Sequence, residues 1–290
     1  MRTILLTTAA LVGFSANSLL TRAALGAGAI DAPSFTLIRL ITGAVTLAIL
    51  VRPFTTASAK ATASSPKPKA KTAGRGSWVA AMALAGYAVA FTVAYTRIGA
   101  AVGALLLFGA VQITMTGTGL VRGERPGRVD WIGVGLAIAG LAVLTLPGAT
   151  APDLVGAVLM LAAGACWGVY SLIGRASRDP LGTTAGNFVR ASLLALIALA
   201  AALPAASLSW RGALLATASG SLASGVGYTF WYAALPALAA WRAALLQLLV
   251  PVATALAAAV WLGESISTRL LAATALVIAG VWLTIRVKNQ

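Results

Sequence analysis

Apolar residues fall along the chain in long uninterrupted runs separated by short polar breaks. The runs cover roughly 3–22, 34–51, 77–96, 98–119, 130–147, 154–174, 182–203, 210–232, 237–261 and 268–286. Each approaches the length, about 20 residues, that a helix needs to cross the hydrocarbon of a bilayer. The pattern therefore predicts ten membrane-spanning helices, several of them joined so tightly, as near Arg97, that neighbours form antiparallel hairpins. The first run could pass for a cleaved leader, but its likeness to the start of the second half argues that it stays as a helix.

The runs repeat. Gly123-Glu124, followed by an apolar stretch ending Ile138-Ala139-Gly140, recurs as Gly263-Glu264 and Ile278-Ala279-Gly280, and Ala104-Leu105-Leu106 recurs as Ala244-Leu245-Leu246. Further back, Arg22 pairs with Arg175, Phe14 with Trp167, Asn17 with Tyr170, Arg39 with Arg190 and Phe91 with Trp231. Helices one to five thus match six to ten. A unit with an odd number of spans must insert its second copy upside down, so the expected fold is an all-α integral membrane protein of two inverted five-helix repeats. Their bounds are 1–147 and 148–290, with a flexible loop at 52–76 as an insertion in the first. That loop carries six basic residues, no acid, and mostly Ala, Ser, Thr and Pro, a composition too poor in apolar surface to fold.

Composition sharpens the picture. Sixty per cent of the residues are hydrophobic, 9% are charged, and the mean hydropathy is +0.93. The net charge of +15 does not point to nucleic acid, because the basic residues lie between the apolar runs. They are instead distributed as membrane topology requires. With both termini and the 52–76 loop on the cytoplasmic side, the inner segments hold fourteen Lys and Arg and the outer ones only Arg22, Arg97, Arg211 and Arg269. Cytoplasmic termini follow, and the Ala-rich, short-looped composition fits a bacterial inner membrane. One cysteine, Cys166, excludes an intrachain disulfide, and the absence of histidine excludes histidine acid–base chemistry and ligation. No cofactor or metal is implied, no enzyme motif is present, and the expected partners are a small-molecule substrate and membrane lipids, with one chain sufficient.

Ten spans in two halves, a Gly-Glu closing the fourth and ninth, and an Ile-Ala-Gly helix after each resemble the drug/metabolite transporter superfamily, EamA type. The resemblance implies a secondary carrier of amino acids, other metabolites or toxic compounds, the aromatic amino acid exporters being one branch. Pro251 in the ninth helix fits the pattern, whereas its equivalent in the fourth is Val111. Alternating access between inverted repeats is then the expected mechanism. Proton-coupled efflux and a passive small-solute channel are the other readings.

Candidate binding residues follow from polarity and period. Tyr87, Phe91 and Tyr95 recur every four residues and share a helix face, as do Tyr228, Trp231 and Tyr232. Phe14, Asn17, Trp167 and Tyr170 stand at matching places in helices one and six. Gln112 and Gln247 are mid-helix amides that must face inward, because an unpaired polar group in lipid costs several kcal/mol. Trp78, Trp131, Trp210, Trp261 and Tyr95 fit an interfacial belt. Arg242 has no basic counterpart and is the candidate clamp for a substrate carboxylate. Arg39 and Arg190 either do the same or snorkel and tie helix ends together. Pro251 removes the amide that would bond the Gln247 carbonyl, making that place a candidate gate. All six acids lie near helix ends, so transport is expected to be uncoupled or an exchange. Glu124 and Glu264 are expected to cap their hairpins and pair with nearby arginines.

Overall fold

The computed structural model describes residues 1–62, 76–98, 100–146, 153–177, 179–202, 206–262 and 266–286. Within them the chain forms rods in the expected order. They are α1 (Arg2–Leu25), α2 (Ala32–Thr62), α3 (Trp78–Tyr95), α4 (Ala100–Val121), α5 (Arg128–Thr145), α6 (Leu154–Arg175) and α7 (Pro180–Ala202). The eighth rod is composite: α8 (Trp210–Ala218), a π-helical stretch (Ser219–Val226) and α9 (Gly227–Ala234). The ninth is α10 (Ala240–Gln247) and α11 (Leu249–Leu262), and the tenth is α12 (Thr268–Arg286).

Short polar residues start these rods where the apolar runs begin. Ser77, Asp153 and Ser209 each accept a hydrogen bond from the backbone N–H three residues on, and Asp31 does the same for Ser34. Such caps satisfy amides that a helix start otherwise leaves open. Two expectations change. Nine described spans are long and apolar enough to cross a membrane, not ten, because the eighth rod is interrupted. Its segment Ser219-Gly220-Ser221-Leu222-Ala223-Ser224-Gly225-Val226 is rich in residues that hold an α-helix weakly, which lets the wider π turn in. The second change is that α2 runs on to Thr62, into the stretch expected as loop from residue 52; residues 63–75 lie outside the described residues.

The rods pack as a bundle with its apolar surface outside. Ile41, Val45, Ile49, Ile113 and Val260 are exposed, while the interior holds aromatic rings, small residues and polar ties. Trp78, Trp131, Trp210 and Trp261 are exposed near rod ends, where an interfacial belt places them. In the interior α1 packs on rods eight and nine, α2 on α7 and rod eight, α3 on α6 and α7, α4 on α6 and rod nine, and α5 on α12. Close crossings use glycine: a Cβ on Gly13 of α1 would sit 3.0 Å from the Cα of Gly227.

The ties between rod ends define two faces. On one, Thr3 and Ile4 share a groove with Thr284 and Ile285, so the start of α1 and the end of α12 lie together. This terminus face also holds the starts of α3 and α7, where Asn187 accepts from the Ser77 amide at 2.9 Å. On the opposite face Asp31 binds the Ser207 amide at 2.9 Å, and Arg97 reaches Asp153 at 3.5 Å.

Candidate functional site

Between the rods, at mid-depth, rings from four helices, α1, α3, α6 and α9, form one aromatic cluster. Phe14 of α1 stands edge-on to Trp167 of α6, with centroids 5.3 Å apart, and contacts Tyr228 and Trp231 at 5.8 and 5.4 Å. Trp167 also touches Tyr87 and Tyr228, both at 5.0 Å, and Tyr87 continues to Phe91 at 5.7 Å. Polar groups in this core are bonded to one another. The Trp167 indole N–H donates to Gln247 Oε1, whose amide nitrogen donates to the Ala243 carbonyl. Ser219, carried on the π-helical stretch, donates to Asn17 Oδ1 at 2.7 Å.

A small inner pocket lies within this cluster. Phe14, Asn17, Tyr87, Phe91, Trp167, Tyr228 and Gln247 line it, with Ser18, Leu107, Phe108 and Val250. Seven of the eleven binding candidates are therefore brought together. The cavity is only about 30 Å³, room for a single water, so the rings are packed against one another rather than around a ligand.

Above it is a much larger chamber of about 580 Å³ that shares Ser18, Phe91, Leu107, Phe108 and Val250 with the inner pocket. Its other walls are the ends of α1, α3 and α5 and the starts of α4 and α12, including Arg22, Tyr95, Thr145 and the exposed Arg269. All of these belong to the face opposite the termini. Pro251 and Thr254 of α11 line this chamber, so the gate candidate stands beside it. Rod nine is divided where Pro251 predicts: the helix breaks at Leu248, whose N–H turns back to Leu245 O at 3.0 Å.

On the terminus face the bundle is tied shut. Glu124, just beyond α4, accepts the Ala240 amide at 3.0 and 2.9 Å and Arg175 Nη1 at 2.7 Å. One carboxylate thus joins the end of α4, the end of α6 and the start of rod nine. Partial burial raises its pKa, but the Ala240 amide and the Arg175 guanidinium outweigh that and hold it below the ordinary 4.5. The expected partners of Glu124 were its sequence neighbours; the fold instead brings Arg175 from a different hairpin. Glu264 lies outside the described residues.

The remaining candidates stand elsewhere. Trp231 is fully buried behind Phe14 and donates to Ser171 at 3.3 Å. Tyr170 packs behind Trp167 and against Tyr232. Gln112 is buried in α4 and accepts from Thr116. Arg242 is separated from the cluster: it lines an apolar groove of about 370 Å³ on the terminus face, stacks on Trp241 and lies 3.9 Å from Asp130. Period and polarity found the rings but not this displacement of Arg242, which lies six residues before the break in rod nine.

Arg39 and its repeat partner part company. Arg190 bonds the Gly186 carbonyl of its own helix and stacks on Trp78 near the terminus face. Arg39 is 1% exposed and reaches inward, donating to Ser224 Oγ at 3.0 Å, Tyr228 OH at 3.1 Å and Tyr87 OH at 3.4 Å. Snorkelling is excluded for it. No cluster of three acidic or thiol groups able to hold a metal occurs among the described residues.

Comparison with known proteins agrees with this architecture. Residues 154–286 match the EamA-like transporter family. An uncharacterised protein, PA1977, of Pseudomonas aeruginosa is 48% identical over 282 residues, covering 97% of this chain and 94% of its own. The threonine/homoserine exporter RhtA of Salmonella typhimurium is 30% identical over 192 residues, 62% of this chain and 63% of the exporter; that of Escherichia coli K12 is equally similar. The chain thus aligns with less than two thirds of the exporter's length. A solved protein crystal structure superposes with a TM-score of 0.76 over 98% of this chain and 99% of that one, at 20% identity, which speaks for the fold alone.

Proposed function

Because this chain belongs to the EamA-like transporters of the drug/metabolite transporter superfamily, multi-pass membrane proteins that move small metabolites, we propose that it is an alternating-access carrier captured open to one side. The observation that carries the reading is the asymmetry of its ends. A chamber of about 580 Å³ on the face opposite the termini adjoins the aromatic cluster, while on the terminus face Glu124 ties three rods together and the groove of about 370 Å³ shares no wall with the cluster's pocket. The aromatic cluster between them leaves space for one water, so no continuous path crosses the bundle. That argues against a passive channel. With the termini cytoplasmic in a bacterial inner membrane, as the basic residues favour, the chamber faces outward.

Two inverted five-rod halves are the reading the neighbour pattern supports. Exchanging rods one to five for six to ten turns the α3–α6 contact into that of rod eight with α1, and α4–α6 into rod nine with α1. It leaves α2–α7, α5–α12 and the α4–rod nine pair mapped on themselves. The stretch 154–286 that matches the family is one such half. Opening the other face then requires no new fold, only the exchange of roles between halves.

For the cargo we favour a small amino acid, aromatic or hydroxylated, carried outward by gradient-driven flux or exchange. The exporter RhtA is named for threonine and homoserine, and the cluster supplies ring faces with Asn17 and Gln247 as polar handles. The described acids stand at rod ends and none lines the inner pocket, which leaves no carboxylate there to carry a coupling proton. Counterflow in proteoliposomes tests this. Vesicles loaded with unlabelled L-threonine or L-phenylalanine should take up the labelled form faster than empty ones, with no dependence on an imposed pH gradient. Uptake that is non-saturable would reject the carrier, and uptake that follows the pH gradient would reject uncoupled exchange.

A further inference from the structure

Arg39 presents a problem in charge. It sits about 10 Å along α2 from the rod's start, two turns below the face that bears the chamber. It is 1% exposed, and every group it donates to is an uncharged hydroxyl. The ion pairs among the described residues join Arg97 to Asp153, Arg175 to Glu124 and Arg242 to Asp130; none reaches Arg39. Asp31 and Asp179 bind backbone amides at their own rod ends. One guanidinium nitrogen, Nη1, is buried without any hydrogen-bond partner. A guanidinium so placed is costly unless an anion completes it.

The two tyrosines that Arg39 touches are also walls of the inner pocket. Each hydroxyl oxygen accepts from Arg39 Nη2, so each keeps its own proton to donate, and the cation behind it strengthens that donor. The two tyrosines wall the pocket, and the Arg39 guanidinium with its unbonded Nη1 stands behind them, outside the pocket's lining. Two hydroxyl donors backed by a planar cation, with no competing acid, suit a carboxylate, which accepts through two oxygens in one plane. The ring faces of Phe14 and Trp167 across the pocket provide what an α-ammonium needs in the absence of an acidic residue.

We propose that Arg39, with the hydroxyls of Tyr87 and Tyr228, is the carboxylate receptor of the substrate site, and that the cargo is a zwitterionic amino acid whose ammonium rests on the aromatic faces. This deepens the carrier reading above and rests on it for the word cargo. The placement of Ser224 explains the π-helical stretch in the same terms. Ser224 Oγ accepts from Arg39 Nε and fixes it, and Ser224 is carried on the wider turn.

Matched ligand pairs test the receptor apart from transport. The full-length protein in lipid nanodiscs is titrated with L-threonine and threoninamide, and with L-phenylalanine and phenylalaninamide, by thermal shift and calorimetry. Each amide keeps the ammonium and side chain and lacks the anion. The wild type should bind at least one acid about tenfold or more tighter than its amide. Arg39→Gln should abolish that preference while leaving amide affinity within about twofold. Tyr228→Phe, which keeps the ring and the fold, should reduce the preference by about threefold or more even where Arg39→Gln proves unstable. A wild type that binds acid and amide equally overturns the receptor, as does a Tyr228→Phe variant with undiminished preference. Preference without counterflow in vesicles upholds the receptor and refutes the carrier; counterflow without preference does the reverse.

Discussion

Phe14 and Trp167, which the sequence repeat sets at matching places in helices one and six, meet edge to face at 5.3 Å and 89° in the centre of the bundle. Residues related by a pseudo-twofold axis touch only where that axis passes between them. On the proposed reading of two inverted halves, this contact lies where they pivot.

Trp167→Ala should show how much this contact holds. It removes a ring that touches Phe14, Tyr87, Tyr170 and Tyr228 and leaves Gln247 Oε1 without its indole donor. Large-to-small changes of this kind cost about 3–5 kcal/mol. The melting temperature in detergent should fall by several degrees, and Trp167→Phe, which keeps a ring but not the donor, should fall between. Equal melting of all three proteins would mean that the rings carry no stability.

The Glu124 latch predicts a pH dependence of definite sign. Its carboxyl is held below 4.5 by the Ala240 amide and Arg175, so the latched form binds fewer protons than the unlatched one. The latch is then fully formed above about pH 4.5 and weakens as the pH falls through the lowered value. Glu124→Gln removes the charge at every pH and should cost about 1 kcal/mol, a shift of about fivefold toward the opened terminus face. A cysteine replacing Ala240, buried beneath the latch, reports it in a Cys166→Ala background. An impermeant maleimide should label it faster in the Glu124→Gln variant at pH 7, and the ratio of the two variants' rates, which cancels the thiolate fraction common to both, should fall toward one as the pH is lowered to 4. Identical rates would show that Glu124 does not close this face.

How much of this was written in the chain differs by level. Rod positions were legible because hydrocarbon demands a run of apolar residues that nothing else in a sequence imitates. Tyr87 and Phe91 were found by period alone, since residues four apart share a helix face. Arg242 was singled out because it has no basic counterpart in the repeat, a criterion that says nothing of where the side chain lies; the fold sets it in a groove apart from the cluster. Arg39 was left between two readings, a carboxylate clamp and a snorkelling or helix-tying cation; burial removes snorkelling, and its bonds to α3 and rod eight do tie helices. Only the tertiary packing of α2 against α3 and rod eight decides that it is sealed inward. The π-helical stretch left a faint trace in its Gly and Ser content.

The Gly220 position gives a sharp contrast among glycines. A Cβ there would collide with Thr42 Oγ1 and the Arg39 carbonyl, both on α2, with backbone that cannot step aside. Gly220→Ala should push rod eight off α2, carry Ser224 away from Arg39 and cost several kcal/mol, on the order of an overpacked core site. A Cβ on Gly117 or Gly135 meets nothing within 4 Å. Those alanines should be neutral or stabilise by up to about 1 kcal/mol through helix propensity. Expression level and melting temperature of the three variants decide it; a well-folded Gly220→Ala protein would contradict the packing of rod eight.

Arg242→Ala becomes a control. Its groove is on the terminus face, away from the inner pocket, and its neighbours are Asp130 and the Thr284 carbonyl. The substitution should lower stability by about 1 kcal/mol or less, as for a partly solvated ion pair, and leave the ratio of acid to amide binding within about twofold of the wild type. Calorimetry with the same matched pairs measures both. A collapse of the ratio would return Arg242 to the substrate and displace Arg39.

Pro251 divides rod nine into a half that the Glu124 latch holds and a half that lines the chamber. With no N–H on Pro251, the Gln247 carbonyl loses its helical partner, the chain tightens at Leu248, and the Val250 carbonyl takes Ser15 Oγ from α1 at 3.4 Å. A carrier that opens its faces alternately must move one half of this rod without the other, and the break is where it can. Pro251→Ala restores the donor and favours a straight helix by up to about 3 kcal/mol. If only half of that falls on the step between the two open forms, exchange slows by about tenfold. Ligand affinity should remain, because Pro251 does not line the inner pocket. Initial counterflow rates and calorimetric affinities of the two proteins, measured on the same preparations, separate these effects. An unchanged rate would show the break to be a fixed kink, and a lost affinity would make Pro251 part of the binding site rather than a hinge beside it.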